Sequence, residues 1–461
     1  MTIAPIDEVE VCIDHGRVYT EGWQSWSPAT TYALGQAPHR PDHPWQQTMR
    51  FRPAVPIPAQ GFQGEGLLVV DPGTGDAIRT YRAPDASRVV PCIRARLDGS
   101  RLLVTADAPV QTEQRAGSID TALAGLGDQF SARMNVSAPR PAPTVWCSWY
   151  HYGTDVSEGD ITENLAAIDE HRLPVDVVQI DDGWEVGVGD WTARAPRFPS
   201  LSDLASRIRD SGKRAGIWVA PFTVGSESEL FREHPDWLVG WAGRNWDQDL
   251  YGLDLTHPGA RDYLGSVFNE LRAAGFDYFK LDFLYAGALP GRRQLDVSAV
   301  AAYRSGLQLV RQAVTAGSYL LGCGAPVLPS VGLVDAMRVS PDTCIPAVPA
   351  DPVRPDTVPT ELRGRTSAVG RGWQQGRLWV NDADCLVARP SFAPRREWAE
   401  HVERYSGLRS ASDRIADLDE WGLDVTRRLL STVPPPTPFA HRPAGAAEKT
   451  TPGVAEDQVP R

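Results

Sequence analysis

The chain has 461 residues, 42% of them hydrophobic, and a formal net charge of −12. Its size allows a large core, while its acidity argues against nucleic acid and anionic membrane as partners. No run of about 18 or more apolar residues is present to span a bilayer. The opening stretch, MTIAPIDEVEVCIDHG, lacks a basic segment followed by an apolar one, so no secretory signal is expected. The cysteines (Cys12, Cys92, Cys147, Cys323, Cys344 and Cys385) are scattered without a C-x-x-C pair. That pattern disfavours disulfides and zinc and fits a reducing, cytoplasmic setting.

Residues 1–140 carry short β-like runs broken by Pro and Gly, such as GRVYTEGWQSWSP and SRLLVTADAP. They predict a short, sandwich-like all-β domain ending in the linker SAPRPAPT. From 144 to 410 the pattern changes to apolar strands alternating with helical stretches. The predicted strands are 145–150, 175–182, 214–222, 250–256, 278–284, 318–324, 335–342 and 378–385. Between them, Ile161, Leu165 and Ile168 share one helical face, with Asp160 as a candidate N-cap. Leu264, Val267, Phe268 and Leu271 share another, in a helix ending at Gly275. Eight such units match an α/β fold of the (β/α)8 TIM-barrel type, with the β-domain in front of it. Residues 411–433 read as a closing helical segment, and the Pro-rich stretch 434–461 as a disordered tail.

In such a barrel the chemistry lies at the C-terminal strand ends, and polar residues collect there. The stretch FKLDF places Lys280 and Asp282 on one face of a strand and Phe279, Leu281 and Phe283 on the other. An unpaired charge in an apolar interior is costly. The pair is therefore either a structural ion pair within the barrel or part of a site that uses charge. Asp181 and Asp182 end the second predicted strand, and Arg338 and Asp342 belong to the seventh. No histidine cluster has metal-ligand spacing, so neither a metal nor a cofactor is expected. Carboxylates beside tryptophans suggest glycoside chemistry, which needs one carboxyl as nucleophile or base and another as proton donor. Asp282, kept ionised by Lys280, suits the nucleophile. Asp342, facing another carboxylate in the loop VSPDT, suits an acid/base of raised pKa.

The ordered motifs WCSWYHYG, QIDDGWE, GIWVAPF, EHPDW, RNW, YGLDLT, YFKLDFLYAGALPG, LLGCGAPVLPSVGLVDAMRVSPDT and LWVNDADCLVAR resemble glycoside hydrolase family 36, the melibiase group, in its compact bacterial form. The resemblance runs from about residue 20 to about 415. It implies a retaining exo-α-galactosidase acting on small galactosides such as melibiose or raffinose through a galactosyl-aspartate. It makes Asp282 the nucleophile and Asp342 the acid/base. It gives Asp181 and Asp182 the sugar's 4- and 6-hydroxyls, and Trp149 and Trp218 the pocket walls. Lys280 and Arg338 would touch sugar or carboxylate, and Cys323 and Gly324 the neighbourhood of the 2-hydroxyl. GWQSWS (22–27) matches a motif of the family's N-terminal domain, where Trp23 or Trp26 could line the site or simply pack in the β-core.

The chain departs from the family pattern in three places. Ser340 stands where relatives carry Gly, few strands precede GWQSWS, and no C-terminal β-domain is legible. The alternatives are a galactosyl transferase, an α-N-acetylgalactosaminidase, and an inactive sugar-binding relative. A retaining enzyme would hold the Asp282 and Asp342 carboxyls about 5–5.5 Å apart.

Overall fold

The computed structural model describes residues 4–41, 43–342 and 360–439, with side chains from 364 onward in the last of these ranges. The N-terminal part contains two antiparallel sheets. One has the order Asp7–Glu10, Arg101–Ala106, Cys92–Asp98, Phe62–Glu65. The other runs Thr30–Ala33, Arg17–Thr20, Leu67–Asp71, Ile78–Arg82, Gln111–Arg115. Alternation explains how the second sheet is buried on both faces. Val18, Leu68, Val70 and Tyr81 pack against Val9, Ile93, Leu102 and Val104 of the first sheet. Tyr19, Leu67, Val69 and Ile78 point the other way, into the core shared with the rest of the chain.

That second face is covered by a helix that the all-β expectation omitted, Ile119–Arg133. Its start is a capping box between Ser118 and Thr121, and it buries Ile119, Leu123, Leu126 and Phe130. A short helix, Pro44–Arg50, is a second departure from that expectation.

The barrel is an eight-stranded parallel sheet. In spatial order its strands are Ser410–Ala411, Val145–Cys147, Val177–Ile180, Arg214–Val219, Phe276–Leu281, Tyr319–Gly322, Ala336–Arg338 and Val380–Asp382. The two outer strands meet through a parallel bridge between Leu386 and Ala411. The N–H groups of Gly407 and Leu408 also donate to the Asn381 carbonyl at 2.8 and 3.0 Å. Seven of the predicted strands hold their place in this sheet. The fourth, 250–256, does not. Gln248–Leu253 instead pairs antiparallel with Thr223–Gly225 and Leu238–Asn245 in a separate three-stranded sheet. Its place in the count is taken by Ser410–Ala411, too short to show as an apolar run.

Helices pack outside the sheet. Glu158–Glu170 is capped by Ser157, with Asp160 completing the capping box three residues in rather than serving as the N-cap itself. Pro258–Ala274 ends at Gly275 in the left-handed conformation, as its sequence pattern predicts. Beyond the last strand, Glu420–Ser431 lays Val425, Leu429 and Leu430 against the core. Of the Pro-rich segment 434–461, residues from 440 on lie outside the described residues, as does Cys344. No helix among the described residues is long and apolar enough to cross a membrane.

Candidate active site

The period of two along each strand builds the site. At the bottom of the barrel the inward face is apolar, with Val145, Val177, Tyr278, Leu321, Ala336 and Val380 in one cluster. Two residues further along the same strands come Cys147, Gln179, Lys280, Arg338 and Asp382. Two further still come Asp181, Asp282 and Asp384. The intervening residues, such as Trp146, Val178, Phe279 and Leu281, face the surrounding helices. The charges in FKLDF therefore belong to the barrel interior, where they stand above an apolar floor.

Of the ten residues given a role in chemistry or sugar binding from the sequence, six, Trp149, Asp182, Trp218, Lys280, Asp282 and Asp342, line one cavity of about 150 Å³. The other four, Asp181, Arg338, Cys323 and Gly324, stand behind its wall. Asp282 accepts from the Trp218 indole at 3.0 Å and from the Phe283 backbone N–H at 2.8 Å. Lys280 Nζ lies 3.8 Å from Asp282 but 3.0 Å from Asp181, so its closer partner is the buried aspartate. Asp181 Oδ2 also receives Gln179 at 2.6 Å and the Cys147 thiol at 3.2 Å. Burial works against the lysine's charge, but Asp181 and Asp282 outweigh it and hold the ammonium well above the ordinary lysine range. Lys280→Met would leave Asp181 buried without its cation. It is expected to destabilise the fold by about 3–5 kcal/mol in guanidinium unfolding, and a loss below about 1 kcal/mol would remove this account of the lysine.

Asp342 follows Arg338 at the mouth. Its carboxyl accepts from the Trp149 indole at 3.3 Å and from Arg338 at 3.4 Å. Arg338 is better satisfied elsewhere, by Asp382 at 2.9 Å and Asp384 at 2.8 Å. Five carboxyls (Asp181, Asp282, Asp342, Asp382 and Asp384) thus face two cations, Lys280 and Arg338. The excess negative charge favours a proton on the least well paired group. Asp342 keeps 40% of its side-chain surface exposed at the mouth. Even so, the protein atoms crowding it and the charge of Asp384 raise its pKa to about 6. Asp282 is only a minor contributor to that shift. Ser340, two residues before it, is buried, and its hydroxyl has no hydrogen-bond partner among the described residues.

Asp182 opens onto the cavity from the opposite side and accepts the Trp246 indole at 2.8 Å. Burial, followed by the neighbouring Glu185, pushes its pKa well up, and burial also raises that of Glu185. Together they retain a proton that exposed carboxyls would lose.

Trp246 is a wall residue that the strand pattern missed. It sits at the tip of the hairpin between Leu238–Asn245 and Gln248–Leu253, where Trp246 and Asp247 have φ of 50° and 57°. Two positive φ values are what a tight hairpin turn requires, and Gly or Asn is the usual occupant. An indole held in this strained position indicates a demand from the site. Phe283 (φ 51°) and Asp384 (φ 92°) are strained in the same way beside the charges.

The N-terminal part completes the rim with Trp26, Trp45, Met49 and Arg50. Trp26 packs edge-on against Phe283 at 4.9 Å. Trp23 takes no part in the wall, being buried under the Arg52 guanidinium at 5.0 Å.

A family model described as melibiase matches residues 131–311. The α-galactosidase TtGalA from Thermus thermophilus, solved in complex with stachyose, is 30% identical over 91% of this chain and 90% of its own, with a TM-score of 0.74. The chain belongs to the GH36 α-galactosidase family. The GH36 α-galactosidase AgaA from Geobacillus stearothermophilus shares the fold at a TM-score of 0.58 and 15% identity, covering 92% of this chain and 61% of its own. Among curated sequences, AgaA is 29% identical over 193 residues, 38% of this chain and 26% of that protein. The Escherichia coli α-galactosidase is 32% identical over 154 residues, 30% of this chain and 22% of that protein. The mouse myogenesis-regulating glycosidase is 31% identical over 136 residues, 28% of this chain and 19% of that protein. The aligned part therefore spans 19–26% of these curated relatives. In the GH36 frame, among the described residues, no group of three or more His, Cys, Asp and Glu is placed to hold a metal ion.

Proposed function

We propose that the protein is a retaining exo-α-galactosidase that removes terminal α-galactose from small galactosides. The observation that carries this reading is the pairing of Asp282 and Asp342 on one cavity. Asp282 is oriented by the Trp218 and Phe283 N–H groups beside a buried lysine. Asp342 has a pKa raised to about 6. In the first step Asp342 donates its proton to the glycosidic oxygen while an Asp282 oxygen attacks the anomeric carbon. The C–O bond to the leaving alcohol breaks, and a β-galactosyl ester forms on Asp282. In the second step Asp342, now a carboxylate, takes a proton from water. That water attacks the same carbon and returns the α-anomer, with Asp282 as leaving group.

Asp182 is the acceptor for the sugar's axial 4-hydroxyl and 6-hydroxyl, held in place by Trp246. Asp181, occupied by Lys280, Gln179 and Cys147, acts from behind as the lysine's counter-charge rather than on the sugar. Arg338 serves Asp382, Asp384 and Asp342 in the same supporting way. Cys323 is 1% exposed, and a Cβ on Gly324 would come within 2.9 Å of the Trp26 ring. That crowding favours galactose over its 2-acetamido derivative. No cofactor enters the scheme, and a cytoplasmic setting, with five of the cysteines present as free thiols, is part of the proposal.

The test is an assay of purified protein on aryl α-galactoside and aryl α-N-acetylgalactosaminide, each with and without acceptor sugar. Release of galactose from the first alone supports the proposal. Dominant transfer, N-acetylgalactosamine release or inactivity points to one of the other readings. Asp182→Asn is expected to lower kcat/KM roughly 10- to 100-fold, mainly through KM, in keeping with about 1–3 kcal/mol for a buried hydrogen-bonding group left without its match on the sugar. An unchanged KM would remove Asp182 from the sugar.

A further inference from the structure

Arg371 has no role in the chemistry described above, yet it is fully buried at 0% exposure and spends all five of its N–H groups within the chain. Nε pairs with Glu21 at 2.8 Å, itself at 0% exposure. One Nη1 bond goes to the Ser25 carbonyl at 2.6 Å and the other to the Val339 carbonyl at 2.8 Å. Nη2 reaches the carbonyls of Gln24 at 3.2 Å and Ser27 at 3.0 Å. Glu21 is satisfied in turn by Tyr19 and Gln374, both at 2.9 Å, and by the Gly22 N–H at 3.0 Å. One guanidinium therefore gathers the carbonyls of the GWQSWS loop on one side and a barrel strand end on the other.

The strand end is the one that leads to Asp342. Val339 is fixed twice, its carbonyl by Arg371 and its N–H by the Asp382 carbonyl at 2.9 Å. Only Ser340 and Pro341 separate it from Asp342, and proline holds its own φ. The contacts of the Asp342 carboxyl itself are long, 3.3 and 3.4 Å, at the weak end of the hydrogen-bond range. Its position is thus set mainly by the backbone that delivers it. The same loop carries Trp26 into the cavity wall. It also holds the helix Pro44–Arg50 through the Gln24 amide on the Met49 carbonyl and the Ser27 hydroxyl on the Arg50 carbonyl.

We propose that Arg371 is a positioning residue for the acid/base. It seats Val339 against the GWQSWS loop and so places the Asp342 carboxyl over the glycosidic oxygen, coupling the N-terminal part of the chain to proton transfer. This rests on the reading of Asp342 given under Proposed function. Arg371→Lys keeps a charge for Glu21 but loses the fork. The double change Glu21→Gln with Arg371→Gln removes the fork without leaving a buried charge, and circular dichroism and melting check that each variant is folded. Each is compared with wild type on an α-galactoside whose alcohol leaving group needs a proton and on dinitrophenyl α-galactoside, whose leaving group does not.

Positioning predicts that kcat/KM falls about 100-fold on the first substrate, within the range of a lost general acid, and less than about 3-fold on the second. The basic limb of the pH profile should also move on the first. Equal losses on both substrates, or no loss on either, would overturn the inference. Failure of wild type to release galactose from either substrate would instead overturn the functional reading on which it rests.

Discussion

Asp282→Gly is expected to lower kcat on an aryl α-galactoside by roughly 10⁴-fold or more, the scale seen when a covalent nucleophile is removed. The fold should survive, because Asp282 is held by two N–H donors at the cavity surface and its removal strands no buried cation. Lys280 keeps its closer partner, Asp181, at 3.0 Å. The hole left by the carboxylate lies on the face of the sugar opposite the leaving group. Azide entering that hole should restore turnover and yield the β-galactosyl azide. Near-normal turnover of the variant, or an azide product of α configuration, would assign Asp282 a different role.

Asp342→Asn is the second large effect, and it differs in kind. An acid matters in proportion to how badly the leaving group needs its proton. The variant should lose about 10²–10⁴-fold in kcat/KM on a disaccharide and far less on dinitrophenyl galactoside. The pH dependence follows from the sign of the shift. The first step requires Asp342 protonated, and raising its pKa from 3.8 to about 6 extends the protonated range upward. Wild-type kcat/KM on the disaccharide should therefore fall as pH rises through about 6, and the asparagine variant should lack that limb. A wild-type profile flat to pH 8 would mean that another group donates the proton.

The inward charges were legible because a strand alternates strictly. Lys280 and Asp282 share a face in sequence, and the barrel makes that face its interior. Their pairing was less legible, since the nearest partner of Lys280, Asp181, lies 99 residues away on another strand. The misplaced strand 250–256 has the apolar run of a barrel strand. Its antiparallel partners are fixed by a hairpin whose turn carries Trp246 and Asp247 rather than Gly or Asn, so no turn signal announces it. Trp246 was missed for the same reason. The helix Ile119–Arg133 was hidden by Gly125 and Gly127, which lower helix propensity. Gly127 is explained only by the fold, because a Cβ there would press within 3.1 Å of the Trp373 ring. The eighth strand pairs over two residues, too few for any periodicity to register.

The central claim is that the Asp282 carboxylate becomes covalently bonded to the sugar. The most direct measurement is to inactivate the enzyme with a slowly turning-over fluorinated galactosyl fluoride, digest it, and map the modified peptide by mass spectrometry. The account predicts a single fluorogalactosyl adduct on the FKLDF peptide, located at Asp282 by fragmentation and lost on reactivation. An adduct on any other carboxylate, or activity with no covalent species trapped, would contradict it.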